Sequence, residues 1–344
     1  MRNSAFAAFV ILSGIAFAGT AQAQSCGAAQ LINSVAMTPV PGSNLMTVPI
    51  TINGTARKFV IDTGDAGTQV SQAMVRDLGL PENTYSANAM EYNVKGSHSA
   101  QDIRQRVRIA DFAIGSMKGS SMQFLISSDK ALGDTKPYDG LIANDLFNNY
   151  DLDLDFAAKR MNYFSADHCP GQVVYWPEKP VAVVPVTIRD SKIVVPVTID
   201  GHQIDAVIDT SAERTVMKRG VAEQTFNLDP DSAQMTPVEG LRDGLGERVY
   251  THTFGLIGFE GVAVNNLPVL IQTNSMVRPT YSSPTTGNRF RTAMMPPIPD
   301  LSIGMDVLSH LHVYIAFAEN KLYVSPAGNG DSALFKGVAS VPAK

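Results

Sequence analysis

The chain repeats itself. "VPITINGTARKFVIDTG", Val48 to Gly64, lies over "VPVTIDGHQIDAVIDTS", Val195 to Ser211, without a gap and with nine of 17 positions identical. Asp62 falls on Asp209, Thr63 on Thr210 and Thr68 on Thr215, at an offset of 147. The ends of the two copies also match. "DLFNNYDLDLDFAAKRMNYFS" from Asp145 lies over "DVLSHLHVYIAFAENKLYVSP" from Asp306, at an offset of 161. The second copy therefore carries 14 more residues between its matching segments, and "RPTYSSPTTGNRFRTAMMPPIP", Arg278 to Pro299, is the expected place for them. A repeat of this length in 344 residues implies two similar lobes.

Each copy reads as mainly β. A strand (Thr47 to Ile52; Val194 to Ile199) meets Asn53-Gly54 or Asp200-Gly201, pairs that accept positive φ and suit tight hairpins. The return strand, apolar at its end, runs out at the acid. Short helices are expected near Gln72 to Leu78 and Lys218 to Phe226. "CPGQVVYWPEKP", Cys169 to Pro180, is a Pro- and Gly-bearing connector. The expected organisation is a targeting segment over 1–23, a first lobe over 24–175 and a second over 176–344.

Arg2, the apolar run Ala5 to Ala18 and the small residues Thr20-Ala21-Gln22-Ala23 have the form of a secretory signal cleaved after Ala23. Export to the periplasm or the exterior gives the two cysteines, Cys26 and Cys169, an oxidising compartment that favours pairing them. The net charge is −5 and no basic run is present, which argues against a nucleic-acid partner. No internal stretch is apolar for long enough to span a bilayer, so no stable membrane insertion is expected once the signal is removed. His310 and His312 alternate on a predicted strand with no metal set nearby in sequence. They are expected to be surface or end-of-strand residues, and no metal or other cofactor is predicted.

The Asp-Thr-Gly and Asp-Thr-Ser triplets, the Thr that follows each, and a downstream apolar-apolar-small element are what carry a family resemblance. That element is Gly140-Leu141-Ile142-Ala143-Asn144-Asp145 in the first copy and Leu301-Ser302-Ile303-Gly304-Met305-Asp306 in the second. Each copy resembles a retropepsin-like aspartic protease domain, and the chain resembles a single-chain, two-lobed, pepsin-like enzyme. The resemblance implies an all-β fold with few short helices and a pseudo-twofold axis between the lobes. It implies a catalytic pair, Asp62 and Asp209, supported by Thr63, Gly64, Thr210 and Ser211. Thr63 and Thr210 would lock the two loops together, and Gly64 would permit close backbone approach. The chemistry requires both copies: two carboxylates held about 3 Å apart share one proton, so one activates water while the other polarises the carbonyl.

The same resemblance implies a mobile hairpin over the cleft. Gly240, Gly244 and Gly246 suit its tip in the second copy. The first copy offers Asn93 to Ala100 with Tyr92 before it, and either one flap or two fits. Three departures stand out. Ala143 replaces the usual Gly, which questions the backbone path near Asp62. Asp65 follows the first triplet and is expected to face solvent. Ala212 follows the second and offers no hydroxyl to the acid, which predicts an optimum less acidic than a pepsin's. The function expected is hydrolysis of peptide or protein substrates by a monomer with intramolecular lobe pairing. The alternative is a catalytically inactive peptide-binding or regulatory module on the same fold. A dimer in which each lobe pairs with a second chain is disfavoured by the short connector.

Overall fold

A computed structural model describes residues 26–84, 105–127, 132, 136–176, 181–243, 246–260, 262–273 and 300–328. It opens with β1 (Leu31–Ala36) and β2 (Thr38–Pro39). The first Asn-Gly hairpin follows as β3 (Met46–Ile52) and β4 (Thr55–Ile61). Asn53 and Gly54 take φ of 47° and 83° there, the left-handed turn that this pair makes cheaply. After the acid come β5 (Gln69–Ser71) and α1 (Gln72–Asp77), capped by the Ser71 hydroxyl, which accepts from the Met74 N–H at 3.0 Å. The lobe continues with β6 (Glu82–Thr84), β7 (Gln105–Ile114), β8 (Met117–Ser127) and β9 (Gly140–Ile142). It ends in β10 (Asp151–Asp155) and β11 (Arg160–Phe164).

The second lobe repeats the plan. β12 (Ala182–Pro185) and β13 (Thr187–Arg189) lead into β14 (Lys192–Ile199) and β15 (His202–Ile208). Then come β16 (Val216–Lys218), α2 (Arg219–Phe226), β17 (Thr236–Arg242), β18 (Arg248–Phe259) and β19 (Val262–Gln272). β20 (Leu301–Ile303), α3 (Met305–Leu308), β21 (Leu311–Ala316) and β22 (Lys321–Pro326) complete it. The fold is mainly β, as the sequence implies. In each lobe six strands close on themselves: β3-β4-β9-β5-β8-β7, with β7 returning to β3, and β14-β15-β20-β16-β19-β18, with β18 returning to β14. The extra length of the second copy falls between β19 and β20, a connection of residues 273–300 against 128–139 in the first. The Arg278 to Pro299 segment itself lies outside the described residues.

A third sheet joins the lobes. β10 of the first pairs antiparallel with β21 of the second, Leu152 opposite Ile315 and Leu154 opposite Val313, in the order β1-β11-β10-β21-β22-β12. One face of β10 sends Leu152 and Leu154 into the core that spans both lobes. The other sends Asp151 and Asp153, both fully buried, under the connector.

There the structure corrects the reading of His312. It is buried, its Nε2 is 2.6 Å from Asp153 Oδ1, and its ring stacks on Trp176 with centroids 4.1 Å apart. His168 pairs with Asp151 in the same way at 2.6 Å. Two buried carboxylates need partners, and His168 just before the connector and His312 on β21 supply them.

Cys26 and Cys169 form a disulfide, which ties the segment before β1 to the chain leaving β11. Among the described residues no helix is long and apolar enough to cross a membrane. The bridge closes a loop with a sequence separation of 143. Replacing both cysteines by Ser is expected to lower unfolding free energy by roughly 2–5 kcal/mol. Chemical denaturation of the two proteins checks this, and coincident curves would contradict it.

Candidate active site

Each acid stands where a buried strand ends. Phe59, Val60 and Ile61 of β4 are buried, and Ile61 pairs in parallel with Ile142 of β9. The Asp62 N–H donates to the Ile142 carbonyl at 2.8 Å, which fixes the first residue beyond the ladder. In the second lobe Ile208 pairs with Ile303, and the Asp209 N–H donates to the Ile303 carbonyl at 3.0 Å. Asp62 is buried and Asp209 half-buried.

The loops beyond these strands grip one another. Thr63 Oγ1 donates to the Ile208 carbonyl and Thr210 Oγ1 to the Ile61 carbonyl, each at 2.7 Å. Each hydroxyl in turn accepts from the other threonine's N–H, at 3.1 and 3.2 Å. Four hydrogen bonds related by a pseudo-twofold thus join the residues flanking the two acids, in a fully buried place where unmade bonds are costly. Gly64 is required by this approach. A Cβ built there would lie 2.4 Å from Asp209 Cγ, so the second acid leans over the first lobe's loop.

Behind each acid a second device repeats. Thr68 Oγ1 donates to Asp145 at 2.7 Å and accepts from the Ala143 N–H at 3.1 Å. Thr215 Oγ1 donates to Asp306 at 2.7 Å and accepts from the Gly304 N–H at 3.2 Å. The repeat aligned Asp145 with Asp306, but nothing in the sequence said that each would hold the aligned threonine.

Ala143 follows the same path as its glycine counterpart. Its φ and ψ are −121° and −174°, against −96° and −175° for Gly304, which is extended backbone open to any residue. The difference is space. A Cβ at Gly304 would come within 2.5 Å of the Arg214 backbone. In the first lobe the facing loop stands further off. The Asn144 N–H reaches the Asp65 carbonyl at 3.3 Å, whereas Met305 reaches Ala212 at 2.8 Å. The Asn144 side chain supplies the support instead, its two amide N–H shared among the carbonyls of Thr63, Asp65 and Ser191 at 2.8, 3.0 and 2.7 Å from Nδ2.

The acids are not equivalent electrically. Burial, then the neighbouring Asp209 carboxylate, then Asp65 push the Asp62 carboxyl well above the usual carboxylate range; Ser211 and Lys192 pull less strongly the other way. Asp209 Oδ1 accepts three hydrogen bonds, from the Ser211 N–H at 3.0 Å, the Ser211 hydroxyl at 2.8 Å and the Ala212 N–H at 3.1 Å. Asp62 therefore holds its proton more tightly than an ordinary carboxyl does, within a pair that titrates as a unit.

Two readings of the departures change. Ala212 has no hydroxyl, but Ser211 supplies one, so its absence at 212 no longer sets the optimum. Asp65 does not simply face solvent. It accepts from Gln69 Nε2 at 2.8 Å and lies 4.0 Å from Lys192 Nζ. Of the flap candidates, Gly240 and Gly246 flank the β17–β18 turn with φ of 72° and 82°. Gly244 and Tyr92 lie outside the described residues, as does Asn93 to Ala100. Among the described residues no group of His, Cys, Asp and Glu could hold a metal ion.

The chain matches the aspartyl protease family over residues 48–146 and 195–307 and belongs to that family. No curated protein matches it. Solved structures similar to it include basic 7S globulin from soybean, at 12% identity and a TM-score of 0.46, covering 90% of this chain and 100% of that one. Conglutin gamma, a basic 7S globulin from lupine seeds, is similar at 9% identity and a TM-score of 0.45, covering 86% and 95%.

Two outcomes follow from this geometry. Thr63→Val preserves shape but strands the Ile208 carbonyl and the Thr210 N–H, at a cost of about 1–3 kcal/mol; urea denaturation giving no change would contradict the grip. Asp62 binds its proton more tightly folded than unfolded. The stability this confers is complete below the ordinary carboxylate value of about 3.9 and is lost as pH rises through the higher folded value. Asp62→Asn escapes that loss, so wild type should weaken relative to the variant as pH is raised from about 4 toward 7. Parallel stability–pH curves would contradict the placement of the proton.

Proposed function

We propose that this member of the aspartyl protease family is an aspartic endopeptidase, with Asp62 and Asp209 as its catalytic pair. The observation that supports it most is the reciprocal Thr63/Thr210 grip, which joins the loops that carry the two acids. In the proposed reaction a water molecule lies between the carboxyl groups. Asp209, as carboxylate, takes a proton from it while the water oxygen attacks the peptide carbonyl carbon. Asp62 gives its proton to the carbonyl oxygen, which yields a neutral tetrahedral diol. Collapse breaks the C–N bond as Asp209 gives its proton to the departing nitrogen and Asp62 takes a proton from a diol hydroxyl, which restores the starting protonation of the pair.

The substrates proposed are peptides or proteins in an exported compartment, periplasmic or extracellular. The Cys26–Cys169 disulfide is compatible with that setting. The active unit proposed is the monomer, because β10 and β21 already pair the lobes within one chain. No cofactor enters the reaction as written.

Digestion of a mixed peptide library across pH tests the proposal. A weakly acidic optimum is expected from the raised Asp62 carboxyl; a rate peaking well below about 3.9 would contradict it. Asp62→Asn and Asp209→Asn should each abolish turnover, and the double variant should be hardly worse than either, because the two act as a unit. Intact turnover in either single variant overturns the pair. Binding of peptides by wild type with no turnover at any pH would support the inactive binding module instead.

A further inference from the structure

Two breaks in the repeat's symmetry fall on one contact. Asp65 corresponds to Ala212 at the offset of 147, so only the first lobe carries a carboxylate three residues after its acid. Lys192 corresponds at the same offset to Leu45, a buried apolar residue. Acid and base are thus both present in one register and both absent from the other. They meet across the lobe boundary.

Lys192 opens β14, just after the Asp190-Ser191 turn, whose residues take φ of 50° and 59°. That turn is seated on the first lobe by the Asn144 amide, which donates to the Ser191 carbonyl at 2.7 Å. From there Lys192 Nζ donates to the Gly64 carbonyl and lies 4.0 Å from Asp65 Oδ1. The opposite contact is built differently, with Ser43 Oγ donating to Glu213 Oε1 at 2.9 Å.

The geometry points to Lys192 as a positioning residue for the catalytic pair: from the second lobe it holds the Gly64 carbonyl beside Asp62 and balances the Asp65 charge, and so sets the upper pH limit of activity. The inference rests on the endopeptidase reading. Among the described residues, the charged groups that face Asp62 are Asp209 from the second lobe's loop, Asp65 from its own, and Lys192 from the hairpin turn. Asp65 makes the Asp62 proton harder to lose and Lys192 makes it easier. Lys192 and Asp65 are each less than one-third exposed, so water screens the contact only in part.

The test is the pH profile of kcat/KM for wild type, Lys192→Met, Lys192→Arg, Asp65→Asn and the Lys192→Met/Asp65→Asn double variant. Removing the lysine charge should move the alkaline limb up by about 0.5 pH unit, and removing Asp65 should move it down by more than that. The double variant should lie between Asp65→Asn and wild type, and Lys192→Arg should leave the limb in place. A lysine that only braced the fold would lower rate or stability without moving the limb. Carboxyl carbon NMR titration of the aspartates in the same proteins gives a second readout that needs no turnover. Wild type without turnover would sink the endopeptidase reading, while the NMR shifts would still decide the role of Lys192. If Lys192→Met does not fold, Lys192→Gln takes its place, with the same upward shift expected. Unmoved limbs and unmoved carboxyl titrations in the folded variants overturn the proposal.

Discussion

The site depends on the exchange of hydrogen bonds between Thr63 and Thr210. It needs two strands that end at the same depth, and β4 and β15 provide them because β9 and β20 run parallel to them and terminate the ladders at Ile142 and Ile303. It needs the loops to touch, and Gly64 allows this by omitting a side chain where Asp209 lies. It needs the lobes to stay in register, and the β10–β21 pairing supplies that from below. A rigid scaffold carrying two short loops can thus hold an electrostatically unfavourable pair of carboxyl groups together.

Symmetry places the acids, and its failures differentiate them. Burial is deeper at Asp62, three donors converge on Asp209, and Asp65 with Lys192 appears on one side only. General acid–base chemistry needs one protonated and one ionised group at the same pH. A perfect repeat would leave that choice to the substrate. Here the two acids stand in different surroundings, set by Ser211 in the second triplet and by Asp65 and Lys192 outside the triplets.

How much of this was legible follows from the reach of each interaction. The hairpins at Asn53-Gly54 and Asp200-Gly201, the two helices and the paired acids were readable, because local turn chemistry and the internal repeat encode them. The room for the Ala143 side chain was not, since it depends on how far the facing Asp65 loop stands away. His312 was misjudged because its burial comes from Trp176 and Asp153, one in the connector and one on a strand of the other lobe. Lys192 could have been found by asking where the repeat fails rather than where it holds. The hydroxyl of Ser211 was overlooked for a similar reason: it stands at the position that the first copy gives to glycine.

The central claim is that Asp62 and Asp209 address one reacting centre. The most direct measurement is a crystal structure of the protein bound to a peptide analogue that carries a hydroxyl-bearing carbon in place of the scissile carbonyl. The account predicts that this hydroxyl oxygen lies between the two carboxyl groups, within about 3 Å of an oxygen from each. A hydroxyl that touches only one acid, or a peptide seated away from both, would contradict it.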